Sequence, residues 1–118
     1  MESEIKNAKI TSTLLGKEDP GPFTACLFLD YGGSTQVFDG YCLDKPKPDK
    51  VRERVGSDFG MEFIIRILET LEVEIWERLP GTYCRVVAED CRVHAIGHII
   101  KNRWFHPEKL AKEYFEEK

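Results

Sequence analysis

Residues 23–31, FTACLFLDY, carry apolar side chains at both odd and even positions. Successive side chains of an extended strand point to opposite faces. A strand of this composition has to be covered on both sides, as a central strand is. The chain is therefore expected to build a sheet around this segment, with one layer on each face. The clearest candidate for the first layer is a long helix. A subunit interface is a reasonable cover for the second, which points to a homo-oligomer.

The flanking segments fit that frame. In 5–15, IKNAKITSTLL, Ala8, Ile10, Ser12 and Leu14 alternate with Lys9, Thr11 and Thr13, the pattern of a half-exposed strand. GKEDPGP (16–22) reads as a turn. After Gly32 and Gly33, TQVFDGYCL (35–43) reads as the next antiparallel strand, so the two glycines form a hairpin connection. Gly40 is left over, and marks either a bulge or a close approach. DKPKPDKVRERVG (44–56) is a long charged loop.

SDFGMEFIIRILETL (57–71) carries Phe59, Phe63, Ile64, Ile67, Leu68 and Leu71 on one helical stripe. Ser57 or Asp58 can cap it, and Glu62 and Arg66 can pair on its wet side. TYCRVVA (82–88) and RVHAIGHII (92–100) read as a second hairpin around Glu89 and Asp90. PEKLAKEYFEE (107–117) reads as a terminal helix with Pro107 in its first turn. The expected order is β-β-β-α-β-β-α. That is an α+β fold, an antiparallel sheet with a long helix on one face and a short C-terminal helix, forming one ligand-binding domain over residues 1–118.

Charge narrows the function. Seventeen Lys and Arg against 21 Asp and Glu leave a net charge of −4. This argues against broad capture of nucleic acid polymers, which needs a basic face, but leaves room for a local basic pocket. No secretory signal or membrane-length apolar run is visible, so a cytoplasmic protein is expected. Cys26, Cys42, Cys84 and Cys91 form no C-x-x-C pair and read as reduced, buried thiols.

No hydrolase elbow, Walker loop, dinucleotide fingerprint or zinc-protease motif is present, so no catalytic residue is assigned. His94 and His98 stand four apart, but a strand is expected there and no acidic partner completes a ligand set. Half-exposed sheet histidines are the favoured reading over a metal site. Arg52 and Arg54 precede Gly56 and Ser57 at the expected helix start. A helix N-terminus with an arginine nearby suits phosphate, although a simple solvated cap is the commoner arrangement. A second cluster is Arg92, His94, Asn102, Arg103 and Trp104. Arginine can grip phosphate bidentately, and a Trp face can stack a base. A buried Trp104 plugging the core is an equal alternative. Phe38 is open between core residue and stacking platform, and Tyr83 shares that ambiguity and stays unassigned. Gly33, in the glycine turn, joins the candidates.

Several segments together carry a resemblance: NAKITSTLLGKED, LDYGGSTQVFDGYCLD, GMEFIIRILET, WERLPG and VHAIGHIIKNRWF. Over about residues 6 to 105 the chain resembles a family of small bacteriophage proteins, the anti-Thoeris sponges of the first type. The family pattern is a glycine-rich strand turn, Gly-Met-Glu-Phe at the helix start and a Trp-Phe close. The resemblance implies no enzyme activity and no cofactor. It implies sequestration, without cleavage, of immune signalling nucleotides in the infected host's cytoplasm. The ligands would be cyclic ADP-ribose isomers, with cyclic oligonucleotides as a further class. It also implies homo-oligomers built from dimers, up to hexamers. Thr35, Val37 and Asp39 stand where the family has small residues, and the loop at 44–56 lacks small residues around Gly56. Those departures put the closeness of ligand approach in doubt.

The candidate ligand-binding set is thus Gly33, Phe38, Arg54, Ser57, Arg92, His94, Asn102, Arg103 and Trp104, with no metal ligand. The competing reading is a protein-interaction inhibitor that blocks a host defence protein, which the acidic tail EKLAKEYFEEK fits loosely.

Overall fold

A computed structural model describes residues 4–17, 21–89 and 92–115. The α+β architecture is as expected. A six-stranded antiparallel sheet runs in the order β3-β2-β1-β6-β7-β8. Its strands are β1 (Glu4–Lys17), β2 (Phe23–Tyr31), β3 (Ser34–Phe38), β6 (Tyr83–Glu89), β7 (Arg92–His98) and β8 (Trp104–Phe105). A separate hairpin pairs β4 (Asp44–Pro46) with β5 (Arg54–Gly56). The helices are α1 (Asp58–Leu71) and α2 (Pro107–Phe115). Asp90, Cys91, Pro20 and the last residues of the expected terminal helix, Glu116 and Glu117, lie outside the described residues.

The long first strand organises the sheet. Residues 9–17 pair with β2, and residues 4–9 pair with β6. The sheet curls strongly. Phe38 on β3 and Phe105 on β8 belong to opposite ends of the strand order, yet their rings stand 6.3 Å apart. Phe63 of α1 fills the concavity, 6.1 Å from Phe38 and 5.2 Å from Phe105. Phe59, Phe63, Ile67 and Leu71 of α1 are buried, while Ile64 and Leu68 pack against the core in part. This is the stripe that the helical spacing predicts. Ser57 is the cap, accepting from the Gly60 N–H, and Arg66 pairs with Glu62 at 2.6 Å.

Three local expectations are corrected. In β1, Ser12 and Leu14 do not share the face of Ala8 and Ile10. A register shift between Ile10 and Ser12 turns them over, so that Leu14 sits opposite Cys26 while Ile10 sits opposite Leu29. The third strand ends at Phe38 rather than continuing to residue 43. Gly40 takes φ 102°, and beyond this break the chain continues antiparallel along the start of β2. There the Tyr41 carbonyl accepts from Thr24 Oγ1 at 3.1 Å, and Leu43 N–H donates to the Phe23 carbonyl at 2.9 Å. A Cβ on Gly40 would meet nothing within 4 Å, so this glycine serves backbone conformation, not close approach. Lastly, Cys42 is exposed, since it lies beyond that turn and outside any strand, whereas Cys26 and Cys84 are buried. Burial pushes the Cys84 thiol up to about 12.

Tyr41 and Leu43 of the segment after Gly40 pack against the core on the side of α1. No helix among the described residues is long and apolar enough to cross a membrane.

Candidate functional site

Where the β4–β5 hairpin meets the start of α1, the fold leaves a cleft of about 410 Å³. Phe23, Leu43, Val55, Met61 and Ile64 supply its apolar walls. Lys17 at the end of β1, together with Arg54, Asp44 and Ser57, supplies its polar groups. The loop at 44–56 is thus ordered in part as a hairpin, and that hairpin carries Arg54 to the cleft beside Ser57. The structure brings these two expected residues together.

The first turn of α1 is less available to an anion than the sequence suggests. The Leu43 carbonyl accepts from Ser57 Oγ at 3.1 Å and from Ser57 N–H at 3.4 Å. Ser57 Oγ in turn accepts from Gly60 N–H at 2.9 Å. Backbone from the preceding segment therefore occupies the seat that a phosphate would take. Charge in the cleft rests on side chains instead. Arg54 Nη2 donates to Asp44 Oδ1 at 2.8 Å, to the Asp44 carbonyl at 3.2 Å and to Cys42 Sγ at 3.3 Å. The Cys42 thiol donates to Asp44 Oδ1 at 3.3 Å. The hydrogen bond from Arg54 holds the Asp44 carboxyl down at about 2.

The second expected cluster is divided among different partners. Arg103 Nη1 donates to Glu72 Oε2 at 2.8 Å, and Lys101 Nζ reaches the same carboxylate at 2.8 Å. The two hydrogen bonds, Lys101 first, hold the Glu72 carboxyl down at about 2. His98 Nε2 lies 3.8 Å from Glu72, whereas His94 Nε2 lies 3.2 Å from Glu89. A register shift against Val87 and Ala88 breaks the alternation between the two histidines. No group of three or more His, Cys, Asp and Glu residues among the described residues is placed to hold a metal ion. Arg92 lies near the half-buried Tyr41, whose pKa is raised mainly by burial, with the Arg92 charge opposing. Asn102 is exposed in the turn before β8.

Trp104 lies over Gly97, where a Cβ would come within 2.5 Å of its ring, and the Arg85 guanidinium stacks 4.9 Å from the ring centroid. Arg85 also donates to the carbonyls of His98 and Lys101, at 2.8 Å each. Trp104 therefore closes the sheet edge. Phe38 is 2% exposed and packed between rings of the core, so no face of it is open for stacking. Gly33 belongs to the hairpin turn at φ 82° and borders a shallow groove of about 260 Å³ with Asn7, Lys9 and Tyr83. That groove is separate from the cleft at α1.

Lys17, Phe23, Leu43, Asp44, Met61 and Ile64 are cleft residues that sequence reasoning did not single out. They come from four places in the chain: Lys17 and Phe23 are paired across β1 and β2, and the segment after Gly40 brings Leu43 and Asp44 beside them and the start of α1. The exposed Met61 on an amphipathic helix was the one local signal. No protein-family model matches this chain, and no curated protein or solved structure matches it significantly.

Proposed function

We propose that this protein is a non-catalytic binder that sequesters cyclic ADP-ribose-type signalling nucleotides, as the phage sponges it resembles do. The supporting observation is the cleft itself. Its volume of about 410 Å³ falls in the range of small-molecule sites, about 300–1,000 Å³. Apolar walls from Phe23, Met61 and Ile64 suit a nucleobase, and Lys17 and Arg54 suit phosphate. Tight sequestration needs an enclosed site. Met61 is 60% exposed at the cleft. A second copy of the chain covering that side would provide the enclosure, in keeping with a homo-oligomer built from dimers.

The test is retention. The purified protein is incubated with cyclic ADP-ribose isomers and cyclic oligonucleotides, desalted and heated, and the released material is identified by mass spectrometry. Recovery of one intact nucleotide is expected. Absence of retention, with every nucleotide untouched in solution, rejects the reading. The alternative, an inhibitor that blocks a host defence protein, draws support from one feature. Met61 and Ile65, one helical turn apart on α1, are both exposed. It predicts a host protein bound stoichiometrically with no nucleotide required.

A further inference from the structure

Among the described residues, Asp44 is the one acidic residue lining the cleft, against two basic residues, Lys17 and Arg54. Its side chain is only 9% exposed and is fixed from two sides. Arg54 Nη2 grips Oδ1 at 2.8 Å, and the Cys42 thiol donates to the same oxygen at 3.3 Å. The hydrogen bond from Arg54 holds the Asp44 carboxyl down at about 2, so it stays ionised at neutral pH. Within the described residues, the hydrogen bonds of Arg54 all run through Nη2. A phosphate that engages Arg54 therefore meets a guanidinium already half neutralised, with a fixed carboxylate beside it.

From this geometry we infer that Asp44 sets the charge selectivity of the cleft, favouring nucleotides whose phosphates each carry a single charge over nucleotides with a terminal phosphate. The inference rests on the nucleotide-binding reading above. A phosphodiester carries one negative charge, whereas a phosphomonoester approaches two at neutral pH because its second pKa is about 6. Lys17 and Arg54 balance Asp44 and one further charge, so the pyrophosphate of cyclic ADP-ribose leaves about one charge uncompensated, whereas ATP leaves about three. Each additional charge must sit near the Asp44 carboxylate, where the apolar walls on one side of the cleft reduce the screening that bulk water would give. Like charges placed together at a binding surface cost several kcal/mol, and such repulsion is a usual source of specificity. The device has an evident use: cyclic ligands, whose phosphates are all internally linked and carry one charge each, would be held, while the abundant nucleoside triphosphates would compete poorly for the cleft.

The experiment compares wild type, Asp44→Asn and Asp44→Glu by calorimetric titration with ATP and with cyclic ADP-ribose, at low and at moderate salt. Asp44→Asn keeps an acceptor for Arg54 and removes the charge. It should bind ATP at least about tenfold tighter than wild type does, with a much smaller change for cyclic ADP-ribose. Asp44→Glu retains the charge and should keep ATP out. The wild-type exclusion of ATP should relax as salt rises. If Asp44→Asn gains no ATP affinity, or shifts both ligands equally, the inference is overturned. A gain for ATP alone, in a protein whose wild type retains no cyclic nucleotide, would support the selectivity role and reject the sponge reading.

Discussion

The backbone carbonyl of Leu43 lies directly against Gly60 in the first turn of α1. A Cβ on residue 60 would overlap the carbonyl oxygen and stand 2.8 Å from its carbon. This contact is what lets the segment before β4 cross the helix start and form one wall of the cleft. Gly60→Ala would gain roughly 1 kcal/mol of helix propensity. The clash is with backbone, which cannot swing aside as a side chain can, and overpacking of this kind typically costs about 1–3 kcal/mol or more. A net loss is expected, lowering the Tm by about 4 °C per kcal/mol for a chain of this size. Thermal unfolding followed by circular dichroism measures it. An unchanged or higher Tm would show that the crossing is more tolerant than its geometry.

Gly97 and Trp104 make a second contact of the same kind on β7 and β8, with the Trp104 ring 2.5 Å from where a Cβ would be. Here the neighbour is a side chain, so the ring can move. Gly97→Ala should lift Trp104 off the strand and separate it from Arg85. In a Trp76→Phe background, Trp104 emission should shift to longer wavelength, with a stability loss of about 1–3 kcal/mol. Arg85→Ala should shift the emission in the same direction through loss of the stacked guanidinium. Emission unchanged in both variants would refute the stacked arrangement.

Acid should act through two carboxylates. Glu72 is held at about 2 by Lys101 and Arg103, against an ordinary 4.5, and Asp44 is held at about 2 by Arg54, against an ordinary 3.8. Both folded-state values are depressed. Their stabilisation is therefore complete above the ordinary values and is lost as pH falls from about 4.5 towards 2. Melting curves across that interval should fall less steeply for Glu72→Gln and for Asp44→Asn than for wild type. The difference should be modest and salt-sensitive, because the Glu72 cluster is on the surface. Parallel curves for all three proteins would mean that neither ion pair is maintained in solution.

Much of the fold was legible because its signals are local and periodic. The stripe from Phe59 to Leu71 specifies both the helix and its buried side, and two apolar faces on β2 require an interior strand. What was not legible depends on one-residue events. The register shift after Ile10 reverses the face of Ser12 and Leu14, yet no residue in TSTLL announces it. The break in the strand at Gly40 was visible only as a glycine in excess of the hairpin's needs. The site suffered most from this. Arg54 and Ser57 were found because they flank a recognisable helix start, but Asp44, Lys17 and Phe23 join them only in three dimensions. Arg103, Arg92 and His94 looked convergent in sequence. Each instead has its own partner, in Glu72, Tyr41 and Glu89.

That division of the arginines separates retention from stability. Arg54 lines the cleft, so Arg54→Ala should abolish most nucleotide retention while leaving the sheet and α1 intact, since its hydrogen bonds are confined to the neighbouring Cys42 and Asp44. Loss of a charge-assisted contact to phosphate is expected to weaken binding by roughly 1.5–3 kcal/mol, about ten- to a hundredfold. Arg103→Ala removes a surface partner of Glu72, with Lys101 still in place. Its effect should be a change of less than about 1 kcal/mol in stability and none in retention. Arg92→Ala removes the cation beside the half-buried Tyr41 and should change the Tm slightly without releasing nucleotide. Mass-spectrometric quantification of heat-released nucleotide, beside a melting curve for each variant, reads both quantities. Retention lost in Arg103→Ala or Arg92→Ala but kept in Arg54→Ala would move the binding site away from the cleft at α1 and onto the β7–β8 side of the sheet.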